Sequence, residues 1–241
     1  MSGRRVADGG PVIPNFGHGS ACLRNNHWFC TSWVQQHWSD TFEPALIQHI
    51  YLLLITISIG FAISFALALI AFRFRFFAAP FGAAGDFVYC LPSIALFLIL
   101  VPVTGVGVAT IVIPLIAYTL FVLYPNILGG LRGVPPEVLE SARGMGLTRT
   151  QTFLRVELPL AVPAIIAGLR VATVATIAIA TIAAFVIHYG LGAPIFDALD
   201  QPDIFRTELL AAGALAILLA LTADALLALL QRALTPWNRT R

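Results

Sequence analysis

The chain has 241 residues, of which 59% are hydrophobic and 11% charged, with a formal net charge of +2. Soluble domains carry roughly a quarter charged residues, so this composition excludes an ordinary soluble fold and indicates one integral membrane domain. All 14 basic residues are arginine. Without lysine, a GxxxxGK[ST] phosphate-binding loop and Schiff-base chemistry are excluded, and any ATP hydrolysis linked to this chain belongs to another subunit.

Glycine, asparagine, proline and serine are frequent in the first 30 residues. Residues 1–32 are therefore expected to form a flexible extracytoplasmic tail. No cleavable signal peptide is expected, because no apolar run of suitable length follows Arg4 and Arg5. His18, Cys22, His27 and Cys30 fit no standard zinc spacing. A Cys22–Cys30 disulfide and a tail without any site are the other readings. Cys90 falls in an apolar run and is expected to be a small core residue. From Trp33 onward, Val34, Trp38 and Phe42 recur at helical spacing, which predicts an amphipathic segment on the outer membrane surface. Pro44 suits the first turn of the helix that follows.

Five apolar runs come next: 50–72, 87–103, 108–128, 160–187 and 209–230. Each is about long enough to cross a hydrocarbon layer of ~30 Å. Backbone groups in lipid must be satisfied internally, so the runs are expected as helices. Pro92, Pro114 and Pro163 are expected to kink them without breaking them. Ala167, Gly168, Ala172, Thr173, Ala175, Thr176 and Ala180 give the fourth span a small-residue surface, which suits close packing at the bundle centre. Arg73 and Arg75, then Arg132, Arg143, Arg149 and Arg155, then Arg232, Arg239 and Arg241 fall on one side if the spans alternate. The other side holds the turn 104–107 and a loop with Asp197, Asp200 and Asp203. The positive-inside rule puts the arginine side in the cytoplasm, the N-terminus outside and the C-terminus inside.

The stretch from Pro135 to Pro159 is polar and arginine-studded between two apolar spans. Pro136 opens a predicted helix, with Glu137 and Glu140 near its positive end. Val138, Ala142 and Met145 are spaced to share one face. Gly144 and Gly146 end the helix and turn the chain. Thr148 and Gln151 then have capping-box spacing for a second helix carrying Phe153, Leu154 and Val156. Taken alone, such an element is either an amphipathic loop packed on its own bundle or a docking surface.

Glu140, Ala142, Gly146, Val156, Leu158 and Pro159 resemble the EAA signature of ABC-importer permeases: EAA, three residues, Gly, nine residues, Ile, one residue, Leu-Pro. Ser141 replaces the middle alanine and Val156 the isoleucine. The resemblance implies an all-α, five-helix transmembrane bundle of the type I importer fold. Residues 33–241 would form the permease domain, and 133–159 the cytoplasmic coupling loop between spans 3 and 4. It implies a translocation subunit that is not itself an enzyme and needs no cofactor or metal. Its partners would be a cytoplasmic ABC ATPase dimer, a second permease subunit, identical or paralogous, and an extracytoplasmic binding protein. The setting would be a bacterial inner membrane. Glu140 would anchor the ATPase contact and Gly146 supply the bend. The runs ARGMGLT, VELPLAVPAIIAGLRVATV, LPSIAL and ADALLALLQRALTPW are similar to permeases for glycine betaine, choline and carnitine. His188 and Tyr189 depart from that subfamily, which usually has small residues there. A permease for D-methionine or another small solute is the alternative within the class.

Charged residues inside spans need partners or function. For Arg170, Asp86 and Asp224 the readings are snorkelling toward the cytoplasm, or a pair of Arg170 with Asp224 or with Asp86 that braces the inner gate. All three are counted at similar, shallow depth from the cytoplasmic side. Tyr118, Tyr124 and Phe185 are candidates for a solute path or for simple packing. A secondary transporter is disfavoured by the odd span count and the docking loop. An intramembrane enzyme is disfavoured because His188 stands alone and Cys90 has no nearby histidine in the sequence.

Overall fold

The computed structural model describes residues 25–236, and every regular element among them is a helix. The readings that involve His18 and Cys22, and the basic residues Arg239 and Arg241, lie outside the described residues.

Helix α1 (Thr31–Gln36) and a π turn (Trp38–Phe42) lead into α2 (Glu43–Arg73), with Pro44 in its first turn. Trp33 and Phe42 are buried, and the Trp33 ring meets Phe205 edge-on at 4.7 Å. The apolar side of this segment therefore packs on Ala198, Ala211 and Ala212 of the bundle, while Trp38 stays exposed. Asn26, within the expected tail, accepts from the Arg206 N–H at 3.2 Å and donates to the Ile204 carbonyl at 2.8 Å.

The second predicted span is two helices, α3 (Ala78–Cys90) and α4 (Ser93–Thr104), bent by 97°. Pro92, expected to kink a continuous helix, breaks one. The residue before a proline is pushed out of the helical region, and Leu91 is extended at φ −78°, ψ 131°. Pro92 is extended too, at ψ 131°. The freed Leu91 carbonyl accepts from the Tyr118 hydroxyl, so the break leaves that acceptor satisfied. Cys90, expected in the core, is exposed instead, because α3 ends there at the bend and turns it away from the bundle. Pro114 and Pro163 remain inside continuous helices, as expected.

Helix α5 (Val108–Arg132) follows the tight turn at Gly105, and α6 (Pro136–Gly144) and α7 (Arg149–Thr152) form the polar element. A π turn (Phe153–Glu157) runs without interruption into α8 (Leu158–Ala183). Pro159 thus lies two residues beyond the π turn, inside this continuous stretch. The segment expected as an aspartate-bearing loop contains a further helix, α9 (Gly192–Leu199), and α10 (Arg206–Leu234) is the last. Four helical stretches are long and apolar enough to cross a membrane: Trp38–Arg73, Val108–Arg132, Arg149–Ala183 and Arg206–Leu234. With the bent α3–α4 pair as one more crossing, they make the five-helix bundle expected from the sequence.

The tight approach of α9 depends on glycine. A Cβ on Gly192 would lie 2.0 Å from the Thr181 carbonyl oxygen, and Gly190 has φ +73°. The Gly190 N–H donates to Gln48 Oε1 at 2.9 Å, and the Leu191 N–H to His49 Nδ1 at 3.2 Å. These bonds tie the turn to α2.

Helices α5 and α8 occupy the centre, with α2 along both. Near the Arg132 end, Leu123, Ile127 and Leu131 pack with Ala68, Ala71, Ala161 and Ile165. Near the other end, Leu52, Phe97, Ile111 and Leu115 pack with Ala180 and Ala183. Small residues permit the close approach. A Cβ on Gly168 of α8 would lie 2.5 Å from Asn126 Cβ, and one on Gly60 of α2 would lie 2.6 Å from Thr119 Cγ2.

Candidate functional site

Helices α6 and α7 project from the end of the bundle that carries Arg132. Pro136 takes the first turn of α6, and the helix closes in a Schellman motif. The Leu147 N–H reaches the Ala142 carbonyl at 3.2 Å, and the Gly146 N–H reaches the Arg143 carbonyl at 2.9 Å. Gly146 has φ +77°, which a side chain would strain, so it is the turning residue and Gly144 is the last helical one. Thr148 then caps α7: its hydroxyl accepts from the Gln151 N–H at 3.4 Å, and Gln151 Oε1 accepts from the Thr148 N–H at 2.8 Å. This is the capping box that the spacing predicts.

The residues that the sequence singles out divide between two sides. Ala142 is 1% exposed, whereas Met145 is 74% exposed. They do not share a face as their spacing suggests, because α6 ends at Gly144 before the i+7 position. Glu140 and Ser141 are exposed, and the Ser141 hydroxyl donates to the Glu137 carbonyl at 2.9 Å. Val156, in the π turn, and Leu158 and Pro159, at the start of α8, are half-buried. The outer surface of the element therefore offers Val138, Glu140, Met145 and Leu154. Behind it lies a cavity of ≈ 710 Å³ between the end of α2 and the two short helices, lined by Arg73, Arg143, Arg149 and Glu157. Arg132 anchors the base of the element, donating to the Ala71 carbonyl at 3.0 Å.

Among the intramembrane charges, Arg170 of α8 and Asp224 of α10 meet in a bidentate ion pair. Arg170 Nε lies 2.7 Å from Asp224 Oδ1, and the Arg170 Nη2 bond to Oδ2 is 2.8 Å. The two side chains are 34% and 35% exposed, so the pair sits on the flank of the bundle. Asp86 is remote from it, on α3, and makes no hydrogen bond or ion pair among the described residues. Tyr118 and Tyr124 are buried, and the Tyr124 hydroxyl donates to the Ala78 carbonyl at 3.1 Å. Phe185 is 60% exposed, with its ring 5.6 Å from Phe196. His188 does not stand alone: its Nε2 is 3.3 Å from Asp197 Oδ2. No sequence signal announces that contact, because the pattern around Asp197 reads as loop and hides α9. No group of His, Cys, Asp and Glu able to hold a metal occurs among the described residues.

Residues 58–239 match the family described as binding-protein-dependent transport system inner membrane component. The chain is 36% identical over 157 residues to the choline transport system permease protein OpuBB of Bacillus subtilis, covering 65% of this chain and 71% of that one. It is 36% identical over 152 residues to the glycine betaine/carnitine/choline permease OpuCB of the same organism, covering 63% and 69%. The osmoprotectant import permease OsmW of Salmonella typhimurium is 35% identical over 195 residues, covering 78% and 89%. Among solved structures, an inward-facing MetNI methionine ABC transporter matches with TM-score 0.67 at 18% identity, covering 79% of this chain and 94% of that one. An amino acid ABC transporter matches with TM-score 0.69 at 17% identity, covering 83% and 96%. Those two likenesses concern the fold.

Proposed function

Since the chain belongs to the family of binding-protein-dependent transport system inner membrane components, we propose that it carries quaternary-amine osmoprotectants such as choline and glycine betaine. It is an ABC-importer permease subunit with the type I importer fold. The curated relatives that move choline, carnitine or glycine betaine support the choice of cargo. ATP is hydrolysed on a separate ATPase dimer, which is in keeping with a chain that has no lysine. A second permease subunit and an extracytoplasmic binding protein complete the assembly. The arginine-rich end faces the cytoplasm, with the N-terminus outside.

The observation that carries the coupling mechanism is the rigid α6–α7 element. It is closed by a Schellman motif and a capping box, and it continues through the π turn into α8. An ATPase that moves the outer surface at Glu140 and Met145 moves α8 with it. A loop joined to the bundle by a flexible hinge would dissipate the same motion.

The test is uptake of labelled choline, glycine betaine and carnitine into liposomes holding the permease, its ATPase and its binding protein. Uptake is expected for at least one quaternary amine and only with ATP. Glu140→Ala and Gly146→Asp should each lower uptake and stimulated ATPase by roughly tenfold, the weight of one well-placed interface residue. Uptake of methionine with none of the three amines would replace the cargo. Normal coupling in both variants would remove the assigned roles.

A further inference from the structure

We propose that the cavity between α3 and α5 is a permease-borne site for the quaternary ammonium group of a transported cation, with Asp86 as its counter-charge. This rests on the transport reading above and adds where within the bundle the cargo is held.

The cavity has a volume of ≈ 190 Å³. Pockets for drug-sized ligands run to about 300–1,000 Å³, so this one suits a small headgroup. Its lining is apolar and aromatic, and Asp86 is the single charged side chain in it. Phe81, Phe121 and Tyr124 supply the ring walls. Two ring contacts hold them: Phe81 meets Tyr124 edge-on at 6.1 Å, and Tyr89 stacks on Phe121 at 4.2 Å. Gly82 and Gly85 line the cavity together with Asp86. A Cβ on Gly82 would meet nothing within 4 Å.

The position is level with the middle of α5. Ala117, Leu120 and Phe121 line the same cavity, and Leu120 is the central residue of α5, which spans Val108–Arg132. The shallow depth counted from the sequence does not hold for Asp86, because α3 already starts at Ala78 and carries Asp86 two turns inward. Asp86 is exposed on this chain and makes no hydrogen bond or ion pair among the described residues; an ionisable side chain within a membrane span marks a functional site.

The lining also selects the chemistry. A metal ion requires several oxygen ligands, and a primary ammonium has three N–H donors to satisfy. Asp86 offers one carboxylate, and the only other polar side chain of the lining, the Tyr124 hydroxyl, is turned toward the Ala78 carbonyl at 3.1 Å. A quaternary ammonium has no N–H to satisfy. It is held by ring faces and a single negative charge. The lone carboxylate further favours a net cation such as choline over a zwitterion such as glycine betaine, whose own carboxylate it repels.

The experiment measures binding of labelled choline to the permease–ATPase complex without its binding protein, in nanodiscs of phosphatidylethanolamine and phosphatidylglycerol. Saturable binding is expected, weakened about tenfold in Asp86→Asn and largely restored in Asp86→Glu, as loss and return of the counter-charge require. Gly82→Val should fill the cavity and abolish binding while the complex stays assembled. The neutral isostere 3,3-dimethylbutanol should fail to compete. Absence of saturable binding, or binding unchanged in Asp86→Asn and Gly82→Val, overturns the site. Disassembly of the complex by both substitutions makes the cavity a subunit contact and overturns it too. Loss of choline binding when phosphatidylcholine is added to the discs assigns the cavity to lipid headgroups and likewise overturns the cargo site. Choline binding is read without transport, so a complex that imports no quaternary amine refutes the transport reading separately.

Discussion

Arg170 and Asp224 are 54 residues apart in sequence and meet as a bidentate pair. The sequence leaves Asp86 and Asp224 as equal partners for Arg170, because span order alone does not say which helices touch. Packing of α10 on α8 decides it. Both side chains are about a third exposed, so the pair serves to fix the register of the two helices more than to supply stability. Arg170→Asp and Asp224→Arg are each expected to lower coupled uptake severalfold, and the double exchange to recover most of it. Uptake that stays low in the exchange, with the complex intact, would show that the pair does more than hold α8 against α10. Asp86 is the counter-example: the same residue type in another apolar span, with no partner among the described residues, beside an aromatic cavity.

At the scale of elements, the coupling pair α6–α7 is legible in the sequence in its caps and obscure in its faces. Thr148, Gln151 and Gly146 act through bonds that span three to five residues, so local sequence suffices to place them. Which side of α6 turns inward depends on what packs against it from outside the helix, which local sequence does not carry. Ala142 is the buried residue of α6, being 1% exposed. Ala142→Leu should overpack the contact at a cost of about 1–3 kcal/mol, seen as a lower melting temperature of the purified permease. Ala142→Ser should change it little. An unchanged melting temperature in the leucine variant would mean that α6 shifts freely to admit the larger side chain, contrary to its role as a rigid lever. The break at Pro92 belongs to this scale as well. A proline in an apolar run is compatible with a kink or a break, and the difference is made by Tyr118 reaching the Leu91 carbonyl from another helix.

For the whole molecule, stability rests on close contact among α2, α5 and α8, since burial from lipid supplies little net drive to associate helices. Gly168 is a tight contact of the central pair, with a Cβ there 2.5 Å from Asn126 Cβ. Gly168→Val is expected to push α5 from α8 and to destabilise the permease by roughly 1–3 kcal/mol, measured by thermal unfolding in detergent. Gly213, where a Cβ meets nothing within 4 Å, is the control site, and Gly213→Ala should be neutral. Helix α10 packs on α8 and α9 and leaves Ile217, Leu218, Leu221 and Leu226 exposed, an apolar flank suited to lipid.

The sequence by itself determined the membrane class, the helical spans, the lack of a lysine-bearing phosphate loop and the family, because each follows from composition, local periodicity or a short motif. It also marked the fourth span as central through its small residues. Tertiary structure alone decided the 97° bend at Pro92, helix α9 behind Gly190 and Gly192, the choice of Asp224 over Asp86, and the cavity beside Asp86. Each of these depends on contacts between residues far apart in the chain, and no local pattern encodes which distant partner will arrive.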